Sequence, residues 1–369
     1  MKIKHIIISV IFVVSVFNSC QNEIPFDIKE NSPKLVVNAM IDVNFENNFI
    51  FVSKTGKIHS GSVNDATINI YINDELREQL TQFMEPDTVF YEPESIYYQN
   101  YDYNPSDKKY KTNLRFNPGD KVKIEVFADN NKYHAWAEDI IPKPLEIEKI
   151  DTMTFTDYSQ YYINNSKIRL KTTFTDYPYE KNFYRLVVVQ KNNYQIRAIE
   201  EDAEGNIIYK ENVETKYNEE TKYMDTRLDP ILNNGRVSTD DDIFPQPENI
   251  FAVFDDKQLN TAYTMTTSFD RPDSNSYYKY TIFNSAIERV AVEFKVHLIS
   301  ITEMQYYYLK ALNTVYDINY DEYLSMPVSF PSNVEGGVGF VGFSAGTHKT
   351  FSIPDIIPFS GGYGGNFPY

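Results

Sequence analysis

Cysteine is nearly missing from this chain: Cys20 is the single one among 369 residues. No internal disulfide can therefore staple the fold, and a disulfide-rich secreted scaffold is excluded. Glycine is sparse, at 14 residues, which excludes collagen-like and glycine-rich low-complexity architectures. Long apolar runs are also lacking. The longest, Ile6 to Phe17, falls short of the roughly 20 residues that a membrane-spanning helix needs. Positive charge is in deficit, with 35 Lys and Arg against 52 Asp and Glu and a formal net charge of −17. Such a surface repels nucleic acid and anionic headgroups, and it provides solubility rather than a reaction.

What the chain does have is aromatic side chains, 30 Tyr and 25 Phe, and these favour strands over a helical bundle. Period-two alternation agrees. Leu35, Val37, Ala39 and Ile41 share one face, as do Ile68, Ile70 and Ile72, and Val122, Ile124 and Val126. Each is the pattern of a half-buried strand. Pro118-Gly119-Asp120 and Asn130-Asn131 supply turns. Residues 33–143 are therefore expected to form a β-sandwich of immunoglobulin-like size. The paired prolines of Pro142-Lys143-Pro144 mark the expected boundary.

Residues 144–358 are expected to form a second β-rich domain. Ile168, Leu170, Thr172 and Phe174 alternate, and Tyr184 to Val189 becomes apolar on both sides, as a central strand does. The charged stretch 195–245 reads as a long exposed hairpin followed by a loop. Val290, Val292, Phe294, Val296 and Leu298 give the longest clean alternation. It runs into a helix expected at about 301–316, with Ser300-Ile-Thr-Glu303 as a capping box. Ile301, Met304, Tyr308, Ala311, Leu312 and Val315 form the stripe expected to face the core. The fold class expected is thus all-β, two β-sandwich domains with one α-helix near the C-terminus. The Gly/aromatic tail 359–369 is expected to fray or to order against a partner.

The first residues, MKIKHIIISVIFVVSVFNSC, join a basic start to a short apolar core and read as a signal peptide over 1–19. A cysteine after a small residue at the end of such a leader resembles the lipobox of bacterial lipoproteins, which implies lipidation of Cys20. Several acyl chains, unlike one, would anchor the chain durably. Residues 20–32 would then be a lipid-anchored tether, and Glu23, Asp27 and Glu30 resemble the acidic signal of surface-exposed lipoproteins.

Six segments in order, KLVVNAMI (Lys34 to Ile41), DATINIYI (Asp65 to Ile72), FNPGDKVKIEV (Phe116 to Val126), FTDYPYEKNFYRL (Phe174 to Leu186), FAVFDDKQLN (Phe251 to Asn260) and PSNVEGGVGFVG (Pro331 to Gly342), carry a resemblance. Together they resemble Bacteroidota outer-membrane lipoproteins that share a conserved domain of unknown function and are often encoded beside TonB-dependent receptors. The resemblance implies an outer-membrane location, outer-membrane lipid as the anchor and a TonB-dependent receptor barrel as the partner. It implies no reaction.

The chain also spells patterns found in catalytic sites. Gly337 to Gly342 spells a dinucleotide turn and Gly342-Phe-Ser344-Ala-Gly346 spells an esterase elbow. Both need a helix directly afterwards, and none is patterned there. The histidine and acid available after Ser344, His348 and Asp355, also stand in the reverse of the hydrolase order. His59, His134, His297 and His348 are scattered, with no pair at zinc-ligand spacing. Asp240-Asp241-Asp242 lacks the alternation of a calcium loop, and the neighbours Asp255 and Asp256 cannot flank one glycosidic bond from a strand. Tyr97, Tyr98, Tyr101 and Tyr103 are the best binding candidates, because tyrosine offers flat apolar area with a polar tip to a glycan, peptide or protein. The expectation is a non-enzymatic binding protein with no cofactor or metal. An adhesive glycan-binding module is the alternative, and an exported hydrolase comes third.

Overall fold

The computed structural model describes residues 32–56, 60–84, 107–157, 165–233, 248–259, 262–281, 285–317, 320 and 327–359. Lys34–Tyr369 gathers into one compact unit. The architecture is mainly β, with several sheets and a single helix near the C-terminus among the described residues. No described helix is long and apolar enough to cross a membrane.

The first block comprises β1 (Leu35–Asp42), β2 (Asn48–Lys54), β3 (Ala66–Ile72), β4 (Glu75–Leu80), β5 (Lys108–Thr112), β6 (Lys121–Ala128) and β7 (Tyr133–Ile140). Strands β4-β3-β6-β7 form one sheet. Strand β6 pairs with β7 through Asp129, Asn130 and Asn131, all at positive φ, where short polar side chains tolerate the left-handed backbone. The alternation seen in the sequence sets burial here: Ile68, Ile70, Val122, Ile124 and Val126 are sealed against Leu35, Val37, Ile50 and Val52 of the facing sheet.

After the Pro142-Lys143-Pro144 connector come β8 (Ile147–Asp157), β9 (Asn165–Thr175), β10 (Phe183–Glu201), β11 (Ile207–Thr221), β12 (Val253–Asp255), β13 (Ala262–Asp270), β14 (Tyr280–Thr281), β15 (Ser285–Ile301), α1 (Glu303–Val315) and β16 (Gly337–Ser352). Strands β13-β9-β8 form a second small sheet. It covers Leu186, Val188, Val292, Phe294, Val296 and Leu298 with Ile168, Leu170, Phe174 and Met265.

Both small sheets lie on one face of a large sheet ordered β11-β10-β15-β16-β1-β2-β5, with β12 added beside β10 and β14 beside β15. Strand β16 joins its two parts. Gly337 to Ser344 pair in parallel with β1, and Ser344 to Ser352 pair antiparallel with β15. The glycine-rich stretch is therefore a through-strand shared between the two cores. Gly339 explains part of its composition. It sits at φ +120 with the Val37 carbonyl against the place of a side chain, so only glycine fits. At Gly342 a Cβ would meet the Phe340 ring at 2.6 Å and the Gln305 Cβ at 3.0 Å, which lets the helix lie directly on the strand.

Helix α1 covers the opposite face of the large sheet at its middle, over Phe183, Val187, Ile299 and Ile301. Two expectations about it are corrected. The capping box does not form: Thr302 is the N-cap, it makes no side-chain cap bond, and its Oγ1 accepts from the Phe343 N–H instead. Glu303 pairs with Lys181. The buried side is also turned, toward Gln305, Tyr306, Leu309 and Asn313 rather than Met304, Ala311 and Val315. Ile301 belongs to the preceding strand and so does not set the helix phase. Asn313 faces inward because its Oδ1 accepts from the Phe251 N–H at 3.1 Å and its amide donates to Asn249 at 2.9 Å. Tyr308 lies flat on Phe340, with ring centres 4.4 Å apart, and is occupied as a packing contact.

Candidate functional site: an open face of the large sheet

Strands β10, β11 and β15 run on beyond the helix as a long ribbon, and no described element covers one of its faces. Alternation places Lys191, Asn193 and Gln195 of β10, Glu219, Tyr217, Thr215 and Val213 of β11, and Glu293, Lys295 and His297 of β15 on that face. The second half of β16 adds His348 and Thr350. Val213 is the one large aliphatic side chain in this row, and it is exposed. The rest is built from charged, amide, hydroxyl and aromatic groups that remain half-buried or exposed.

Its electrostatics are local and paired. Glu219, only 10% exposed, lies 3.1 Å from the Lys295 ammonium and 3.9 Å from that of Lys191. Lys191 also stands 4.9 Å from the centre of the Tyr217 ring, a cation–π contact at an exposed site. His297 and His348 are directly opposed across β15 and β16, with ring centres 5.2 Å apart. Burial, then the neighbouring His348 and Lys295, push the His297 imidazole down to about 4, so it is uncharged at neutral pH.

The far side of the ribbon holds it rigid. Asn192 Oδ1 accepts from the Gln190 amide at 2.8 Å and from the Tyr277 hydroxyl at 2.7 Å. The Asn192 amide then donates to Asn218 at 3.0 Å, and the Tyr194 hydroxyl donates to the same oxygen. Burial raises the Tyr277 and Tyr194 hydroxyls, which keeps them protonated as donors. Toward the tip, Arg197 reaches Glu288 at 2.7 Å across a register shift in the β10–β15 pairing. Strand β11 ends the sheet, and its outward edge has no strand partner among the described residues. Ile207, Tyr209, Val213 and Tyr217 are exposed along one side of it, Tyr217 by 64%.

The residues singled out in the sequence fall elsewhere. Cys20, the tyrosines Tyr97, Tyr98, Tyr101 and Tyr103, His59, Asp240 to Asp242 and the tail beyond Phe359 lie outside the described residues. Ser344 is buried, and its hydroxyl donates to Asp42 Oδ2 at 2.9 Å, so it is engaged in tying β16 to β1. Gly337 to Gly346 runs as continuous strand, without the turn and helix that a dinucleotide site or a nucleophile elbow requires. Asp255 pairs with Lys257 at 2.8 Å, while Asp256 accepts from the Asn182 N–H at 2.6 Å, so the two carboxyls serve separate turns. His134 stacks on Phe127 and reaches Glu125 at 3.1 Å. Among the described residues no group of three or more His, Cys, Asp or Glu gathers in metal-holding geometry. Sequence reasoning missed the His297–His348 pair, because the two residues share no local spacing and meet only when β15 and β16 pair.

Comparison with known proteins yields a family but no activity. The family model for the domain of unknown function DUF4249 matches residues 21–350, so the chain belongs to that family. No curated protein matches it. Among solved structures, the chain is similar to a DUF4785 family protein from Legionella pneumophila, at 7% identity and a TM-score of 0.20, over 70% of this chain and 51% of that one. It thus spans about half the length of that protein. A second similarity, at 7% identity and a TM-score of 0.12, is to the structure titled as manganese lipoxygenase of Gaeumannomyces graminis with a partial structure of zonadhesin of Komagataella pastoris, over 72% of this chain and 88% of that one. At these scores neither likeness bears on function.

Proposed function

We propose that this DUF4249 protein is a non-enzymatic binding protein of the bacterial outer membrane. It is anchored through Cys20 and serves as an accessory or ligand-binding subunit beside a TonB-dependent receptor. The anchor rests on the leader pattern that ends at Cys20. The binding role rests chiefly on one observation: the ribbon β11-β10-β15 ends in a strand whose outward edge has no strand partner among the described residues, with Ile207, Tyr209, Val213 and Tyr217 exposed along it. Sheet edges of this kind accept an added strand from a partner, and exposed tyrosines supply contact area at low entropic cost.

Two experiments test this. Cys20→Ala should move the protein from the membrane fraction to the soluble one, and continued lipid labelling of that variant would refute the anchor. A detergent pull-down of the lipidated protein should recover an outer-membrane barrel. Recovery should fall when Val213 and Tyr217 are replaced by Lys, which adds charge to the row without touching a core. If no barrel is recovered and glycan resin retains the protein, the adhesive alternative stands in its place.

A further inference from the structure

We propose that His297 and His348 together form a two-imidazole site for a late first-row divalent cation, Ni²⁺, Cu²⁺ or Zn²⁺. Its remaining coordination positions open on the uncovered face of the large sheet. Three features support this. First, the pair is set by backbone pairing and not by a flexible loop: His297 lies directly opposite His348 within an uninterrupted register from Glu293↔Ser352 to Ile301↔Ser344. Strand pairing brings opposed side chains to about 5 Å at their β-carbons, so both rings start from fixed, adjacent positions.

Second, the ring separation matches chelation. A metal at ~2.1 Å from one nitrogen of each imidazole lies ~3.2 Å from each ring centre, and a tetrahedral angle between those arms places the centres ~5 Å apart. The observed separation is 5.2 Å. Third, the chemistry selects the metal class. Imidazole nitrogen suits nickel, copper and zinc, whereas calcium and magnesium require oxygen ligands, and no carboxylate joins the pair among the described residues. Lys295, two residues before His297 on the same face, is held by Glu219 at 3.1 Å.

His134 provides an internal contrast. Its ring is stacked on Phe127 at 4.5 Å and bound to Glu125, so that histidine is fully engaged by its neighbours. No hydrogen bond joins the imidazole ring of His297 or of His348 to another described side chain or to a described backbone group. A two-histidine site leaves positions for water or for donors from a bound molecule, so it is a place for a metal chelate to dock rather than a closed structural centre. The inference stands apart from the envelope reading, because it needs neither the lipid nor a receptor.

The test is a titration of the purified full-length chain with Cu²⁺ followed by electron paramagnetic resonance, and with Zn²⁺ followed by calorimetry. One equivalent of each is expected, with nitrogen splitting from two imidazoles in the copper spectrum. His348→Ala, an exposed change that leaves both cores intact, should weaken binding by more than the roughly tenfold that loss of an outer-shell partner costs. His297→Asn should do the same, and His134→Ala should leave the titration unchanged. Equal titrations of the parent and His348→Ala proteins, or no saturable binding at all, would overturn the proposal.

Discussion

The two halves of β16 differ in partner, in pairing direction and in the residues they carry. From Gly337 to Ser344 the strand runs parallel to β1, carries three glycines, and buries Phe340, Val341 and Phe343. Past Ser344 it runs antiparallel to β15 and carries Thr347, His348, Lys349 and Thr350, which are half-buried or exposed. One half is shaped by steric exclusion, because backbones and rings approach too closely for most side chains. The other meets solvent on one face, through His348 and Thr350, while on the opposite face Ala345 stays packed in the first core and Phe351 on the second. The same strand therefore serves as a structural joint at one end and lends one face to the open surface at the other.

That contrast can be broken at several levels. Gly339→Val is expected to have the largest effect, more than about 4 kcal/mol or loss of folded protein, since it adds a side chain at positive φ against the Val37 carbonyl. Denaturant unfolding of the purified variant measures it. Asp42→Ala is next, at about 2–3 kcal/mol, because it strips the buried Ser344 hydroxyl and the Asn44 N–H of their acceptor. The midpoint of thermal unfolding reports it.

Acidification probes the other half of the strand. Burial holds the His297 imidazole down at about 4 in the folded protein, below the ordinary histidine value of about 6.5, so between these values the unfolded chain binds the extra proton. The His297 contribution is complete above about pH 6.5 and is lost as pH falls toward 4. After discounting for partial exposure the loss is about 1–2 kcal/mol. Replacing His297 with Asn should flatten that part of the pH–stability curve, and an unchanged curve would show that other groups set it. Thr350→Ala, on the exposed face, should stay within about 0.5 kcal/mol of the parent. A larger change there would mean that this face is packed after all.

Much of the strand layout was readable without coordinates. Ile68 to Ile72, Val122 to Val126, Ile168 to Phe174 and Val290 to Leu298 all alternate, and each forms the strand its pattern implies, because one buried face leaves a period of two in the residues. The helix was legible in position but not in phase. Its buried side includes Gln305 and Asn313, polar residues that hydrophobic periodicity cannot see, and Asn313 is turned inward by bonds to a loop some sixty residues earlier. The open face was hardly legible. Lys191, Glu219, Lys295 and His348 look like ordinary surface residues until strand order places them side by side.

By itself the sequence determined the local grammar: where strands run, where Asn130-Asn131 and Pro118-Gly119 turn the chain, and that one helix follows the longest alternation. These follow from short-range sterics and from the burial of one face, which neighbouring residues encode. Only the tertiary structure decided that β16 lies between β1 and β15, that Gly339 must be glycine, and that His297 meets His348. Those facts depend on contacts between residues as far apart as Val37 and Gly339, whose pairing is chosen by the packing of whole sheets and leaves no mark within either segment.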